Sequence, residues 1–145
     1  MIKKLRTILL IDDSEADNFI HCRRFNRMEI AEEVVIRNDG RQGLDYLHTK
    51  LPNGSFPRPD LLFLDINMPV MDGWQFLDEY SQLPVDRRAV VTVAMLTSSV
   101  GDADYSRAYG YPVVDAHEAK PLSKDKLRLL LQEYFPAHFA DTPGH

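Results

Sequence analysis

LLFLDINMPVMDGW, Leu61 to Trp74, runs four apolar residues straight into an aspartate, Asp65, with a proline and a glycine following at 69 and 73. A continuous apolar run, as opposed to an alternating one, predicts a strand covered on both faces, as in a parallel sheet sandwiched between helices. The carboxylate then falls at the C-terminal end of that strand, and Pro69 and Gly73 shape the turn into the next helix. Working outward, comparable short runs recur at Ile8–Ile11, Val34–Ile36, Val90–Leu96 (interrupted by Thr92) and Val113–Val114.

Helix-like segments lie between these runs. Ser14 to Met28 opens on SEAD, a serine followed three residues later by an acid, in the manner of a capping box, and Ala16, Phe19, Ile20 and Cys22 are expected to form its apolar stripe. Further helices are expected over Asp39–Lys50, Gly73–Tyr80, Asp102–Tyr109 and Ser123–Phe135, the last with Leu127, Leu130, Leu131 and Tyr134 on one face and Ser123 as N-cap. Strand and helix thus alternate five times. With short connections and right-handed crossovers, that order predicts an α/β fold with a doubly wound, five-stranded parallel sheet. LPNGSFPRP, Leu51 to Pro59, reads as a turn-rich loop, and residues 136–145 read as an irregular C-terminal tail after a single domain over 1–135.

The bulk properties agree with one globular domain: 145 residues, 44% hydrophobic and 27% charged. The net charge of −5 offers no basic face for nucleic acid. Cys22 is the only cysteine, so there is no intramolecular disulfide and no mark of an oxidising compartment. The apolar run Ile8–Ile11 is too short for a signal-peptide core or a membrane span, and the expected location is the cytoplasm.

The strand ends carry the chemistry. The first run ends in Asp12 and Asp13, the third in Asp65, the fourth in Thr97 and the fifth, a few residues late, in Lys120. In a parallel sheet these ends share one edge, where open α/β folds bind ligands. Three carboxylates repel one another unless a cation lies among them, and an all-oxygen set suits Mg²⁺. A carboxylate nucleophile with Mg²⁺ points to phosphoryl transfer onto aspartate, with the Lys120 ammonium and Thr97 hydroxyl taking the phosphoryl oxygens. Taken singly, each aspartate is better read as a turn former or cap. Several independent caps on the ends of four strands are a poorer account than one site. Asp60, at the opposite end of the third strand, is read as a turn residue. His21 and His48 lack metal-ligand spacing and are read as solvated, as are Arg23 and Arg24, while Trp74 is read as packing or marking a partner surface.

LLIDDSEADN, LDINMPVMDGW, MLTSS and AKPL, in that order and spacing, resemble the receiver domain of bacterial two-component response regulators from about Leu5 to Phe135. The resemblance implies the flavodoxin-like strand order 2-1-3-4-5 flanked by five helices. It implies that Asp65 is the phosphoacceptor, loaded by a histidine kinase, a phosphotransfer protein or a small phosphodonor. Mg²⁺ would be held by Asp13 and Asp65, by Asp12 largely through water, and by the backbone carbonyl of Asn67. Thr97 and Lys120 would contact the phosphoryl group, Asn67 and Ser99 would tune autodephosphorylation, and the Lys120–Pro121 bond would be cis. It also implies that the first helix helps to dock the kinase, and that the phosphoryl state is read at the face of the fourth helix, fifth strand and fifth helix. With no output domain and no membrane insertion expected, the output would be a protein partner, a phosphorelay step or a phosphorylation-dependent homodimer.

One position departs from the family. The family's switch aromatic lies three residues before the lysine, where this chain has His117. His117 is read first as a partly exposed packing group and second as a switch residue sensitive to pH. Glu118 beside it is expected to face solvent or a partner. The rival readings are an aspartate-nucleophile phosphohydrolase, a pseudo-receiver that no longer accepts phosphate, and a flavodoxin-like nucleotide binder. The first lacks a second carboxylate at position 67, the second conflicts with the full acidic set, and the third lacks a glycine-rich loop after the first strand. The chain is therefore expected to be no enzyme beyond assisting its own phosphotransfer and dephosphorylation.

Overall fold

The structure is a computed structural model that describes residues 3–68, 71–96, 107 and 110–139. In chain order the strands are β1 (Leu5–Ile11), β2 (Ala31–Arg37), β3 (Leu61–Asp65), β4 (Val91–Leu96) and β5 (Ala116–Ala119). The helices are α1 (Glu15–Met28), α2 (Gly40–His48), α3 (Gly73–Tyr80), α4 (Lys124–Tyr134) and α5 (Pro136–Phe139), with a 3₁₀ turn at Val85–Arg87. The strands pair in parallel in the order β2-β1-β3-β4-β5, as expected. The helix expected over Asp102–Tyr109 lies outside the described residues apart from Arg107. No helix among the described residues is long and apolar enough to cross a membrane.

Alternate side chains along each strand feed two apolar layers. Leu9, Ile11, Leu62 and Leu64 pack with Leu44 and Leu47 of α2 and with Phe76, Leu77 and Tyr80 of α3. Ile8, Leu10, Phe63, Val93 and Met95 pack on the other face with Phe25 of α1 and with Leu127, Leu130 and Leu131 of α4. Double coverage is why β3 and β4 are buried at every position, and why their sequences run apolar without alternation. The interrupting Thr92 is buried too, with its hydroxyl 2.9 Å from the Tyr80 hydroxyl, which itself accepts the Ala89 backbone N–H.

Helix starts follow the sequence closely. Ser14, Asp39, Asp72 and Ser123 cap α1 to α4, each accepting a backbone N–H three residues on. Gly73 opens α3 so close to the end of β3 that a Cβ there would sit 2.5 Å from the Ile66 Cα.

Four expectations are corrected. Val113–Val114 is not the fifth strand. Asp115 takes the edge of Thr92, accepting its N–H with the side chain and donating its own N–H to the Thr92 carbonyl, and pairing starts only at Ala116. The full capping box belongs to α3, through Asp72 and Gln75; in α1 Ser14 caps Asp17, but the Asp17 carboxylate goes elsewhere. The expected apolar stripe of α1 is largely turned outward: Phe19 is 65% and Ile20 43% exposed, while Asn18, His21 and Phe25 are buried. The reason is what α1 packs on. Its C-terminal half meets the apolar layer, with Phe25 stacked on Phe63, whereas its N-terminal half covers the polar strand ends. Finally, the tail begins with an ordered turn, α5, whose His138 accepts the Lys3 backbone N–H at its carbonyl.

Candidate functional site

Asp12 follows β1 and is buried. Its backbone is held on both sides, donating its N–H to the Arg37 carbonyl at 3.0 Å and accepting at its own carbonyl from the Asn18 side-chain amide at 2.9 Å. One carboxylate oxygen accepts the Ser14 N–H at 2.9 Å and the other lies 2.7 Å from Lys120 Nζ. Asp65 ends β3, also buried; its Oδ1 accepts the Asn67 N–H at 3.2 Å and its Oδ2 lies 3.3 Å from the same ammonium. Lys120 follows β5 directly, because that strand starts late, and donates its N–H to the Leu96 carbonyl at 2.8 Å. The Lys120–Pro121 bond is cis.

Asp12, Asp13 and Asp65 each place one carboxylate oxygen within 4.8 Å of the others, with Asp13 on the solvent side. Burial pushes the Asp65 carboxyl up, the negative charge of Asp12 adds to it, and Lys120 and the Asn67 N–H pull back, leaving it at about 7. For Lys120, burial alone would depress the ammonium, but hydrogen bonds to Asp12 and Asp17 and the charge of Asp65 outweigh it and raise it above the ordinary lysine range. One ammonium therefore leaves negative charge among the three carboxylates unbalanced. An oxygen-only cluster with charge to spare fits a small, hard divalent cation such as Mg²⁺.

The structure thus brings Asp12, Asp13, Asp65 and Lys120 together, with Asn67 hydrogen-bonded to Asp65 through its backbone N–H. Thr97, Ser99 and Pro69 lie outside the described residues. His117 lies within β5, half-buried, paired in register with Ala94. Glu118 is half-buried, and that burial raises its carboxyl. Trp74 packs, stacked with Tyr111 and covered by the Arg107 guanidinium 4.4 Å from its ring centroid. Asp60 lies at the other end of β3, accepting the Arg6 N–H, and His48 is exposed.

Sequence reasoning missed the polar face of α1. His21 is not solvated but 1% exposed; its Nε2 accepts the Leu122 N–H at 3.1 Å, and burial pushes its pKa down. Arg24 is not merely solvated either, since its guanidinium donates to the Leu122 carbonyl. Asp17 accepts from Lys120 Nζ at 3.0 Å, which holds its carboxyl below the usual range. The signal was present as spacing. Residues 17, 18, 21 and 24 fall on one side of a helix, and a polar stripe at that period can mark a buried polar contact as well as a solvated face.

A model of the response regulator receiver domain matches residues 8–132. The response regulator Rcp1 of Synechocystis sp. is 33% identical over 104 residues, covering 72% of this chain and 69% of that protein. A two-component response regulator from Cytophaga hutchinsonii has a similar solved structure, with a TM-score of 0.77 and 25% identity over 92% of this chain and 99% of that one. The solved Mn(2+)-bound form of response regulator Rcp1 is similar as well, with a TM-score of 0.65 and 27% identity over 90% of this chain and 94% of that one.

Proposed function

This chain belongs to the response regulator receiver domain family, and from that premise we propose that it accepts a phosphoryl group on Asp65 and signals through protein contacts. The observation that carries this reading is a single buried arrangement: Asp65 at the end of β3, facing Asp12, with the Lys120 ammonium bridging the two. Asp12, Asp13 and Asp65, with the Asn67 carbonyl, would hold Mg²⁺. A bound Mg²⁺ supplies the charge neutralisation that lets a negatively charged phosphoryl group approach three carboxylates. One Asp65 oxygen attacks phosphorus, forming the O–P bond as the bond to the donor's leaving group breaks. The donor is a phosphohistidine on a kinase or phosphotransfer protein, or a small acyl phosphate. Lys120 then meets the charge on the phosphoryl oxygens, and Thr97 and His117 carry the change to the surface. Asn67 and Ser99 set how readily water attacks. The output is a protein target or a second copy of this chain, in the cytoplasm.

Acetyl phosphate with Mg²⁺ tests the reading. The expected result is an added phosphoryl mass on the peptide containing Asp65, absent after Asp65→Asn. No addition, or equal addition to the variant, overturns it.

A further inference from the structure

We infer that Asp17 is a positioning residue that holds the Lys120 ammonium off Asp65 and so competes with the phosphoryl group for that cation. This rests on Asp65 being the phosphoacceptor. An ammonium has three protons, and Lys120 presents them to three carboxylates: Asp12 at 2.7 Å, Asp17 at 3.0 Å and Asp65 at 3.3 Å. The contact with the phosphoacceptor is the longest of the three. Asp12 belongs to the acidic cluster, whereas Asp17 draws the ammonium from outside it, on α1.

Both ends of this contact are anchored. The Asp17 backbone N–H donates to the Ser14 hydroxyl, which fixes the residue in the first turn of α1. The Lys120 N–H is tied to the Leu96 carbonyl, and two residues on, Leu122 is held at its N–H by His21 and at its carbonyl by Arg24. With the backbone pinned, the position of Nζ is decided by the side-chain partners alone. Phosphorylation turns the Asp65 carboxylate into an acyl phosphate whose oxygens need the ammonium, but it leaves the charge of Asp17 in place. Asp17 therefore keeps its hold on Lys120 and adds negative charge beside the phosphoryl group. The Asp17 side chain is 38% exposed, so the effect is modest and screened by salt.

The test is beryllofluoride binding with saturating Mg²⁺, followed by fluorine NMR, on the whole chain. Asp17→Asn and Asp17→Ser are expected to bind about threefold more tightly than the wild type at low ionic strength, a gap that closes in high salt. Asp17→Glu, which keeps the charge, is expected to bind as the wild type does. A role in folding alone cannot produce tighter binding, because damage to the site weakens it. Equal or weaker binding by the two neutral variants overturns the inference, as does an equal gain in Asp17→Glu. Absence of binding by the wild type overturns the phosphoacceptor reading itself, and this inference with it.

Discussion

The His21 imidazole accepts the backbone N–H of Leu122 at 3.1 Å, joining α1 to the segment that carries Lys120. Replacing it with an apolar side chain leaves that N–H buried without a partner. His21→Leu is expected to cost about 1–3 kcal/mol of stability, read by urea denaturation, with His21→Gln costing less because its amide oxygen can still accept. An unchanged midpoint in His21→Leu would show that the bond carries no weight.

The same residue gives a pH dependence. Burial lowers the His21 pKa below its ordinary 6.5, so the folded state favours the neutral ring while the unfolded chain takes up a proton first as pH falls. Its stabilising contribution is whole above pH 6.5 and is lost as pH drops from there toward the folded pKa. The difference in stability between wild type and His21→Gln should therefore shrink on acidification through this range. A constant difference would contradict the assignment.

Asp65 has the opposite sign. With its pKa pushed up to about 7, the ionised carboxylate is a cost in the metal-free fold, relieved as pH falls below 7 because the folded state binds the proton before the unfolded chain does. Asp65→Asn should be more stable than wild type at pH 8 in chelator by about 2–4 kcal/mol. The advantage should fade toward pH 4 and narrow when Mg²⁺ is added, since the proposed metal would favour the fully ionised wild-type cluster over one with a neutral amide. Thermal melts across this grid would expose a failure as a parallel offset at every condition.

Lys120 is the cation shared by Asp12 and Asp65, and its side chain is nearly buried. Removing one partner of a buried ion pair leaves charge uncompensated, so Lys120→Met should cost about 3–5 kcal/mol without metal at neutral pH. Mg²⁺ should restore part of that loss. A variant as stable as wild type in chelator would mean the carboxylates are balanced in some other way.

Phe19 and Ile20 place apolar surface on the outside of α1, next to the site. Phe19→Ser should change stability by less than about 0.5 kcal/mol and leave loading by acetyl phosphate intact. Transfer from a protein phosphodonor should slow, if this face meets the donor. Equal transfer rates from the protein donor would remove Phe19 from that contact.

The sequence by itself determined what depends on local pattern. Continuous apolar runs marked β1, β3 and β4, because strands covered on both faces admit few polar residues. Ser14, Asp39, Asp72 and Ser123 marked helix starts, because a cap bonds within its own first turn. The aspartates ending two of those runs pointed to one edge of a parallel sheet, and Asp12, Asp13 and Asp65 do meet there. What only the tertiary structure decided involves partners far apart in the chain. Asp17 looked like half of a capping box until Lys120 claimed its carboxylate. His21 looked solvated until Leu122 came to rest on it. β5 began later than its apolar residues implied, because Asp115 replaced a strand pair with its side chain. A helix face is polar either because it meets water or because it meets buried backbone, and the residues alone do not distinguish the two; the packing of α1 against the end of the sheet does.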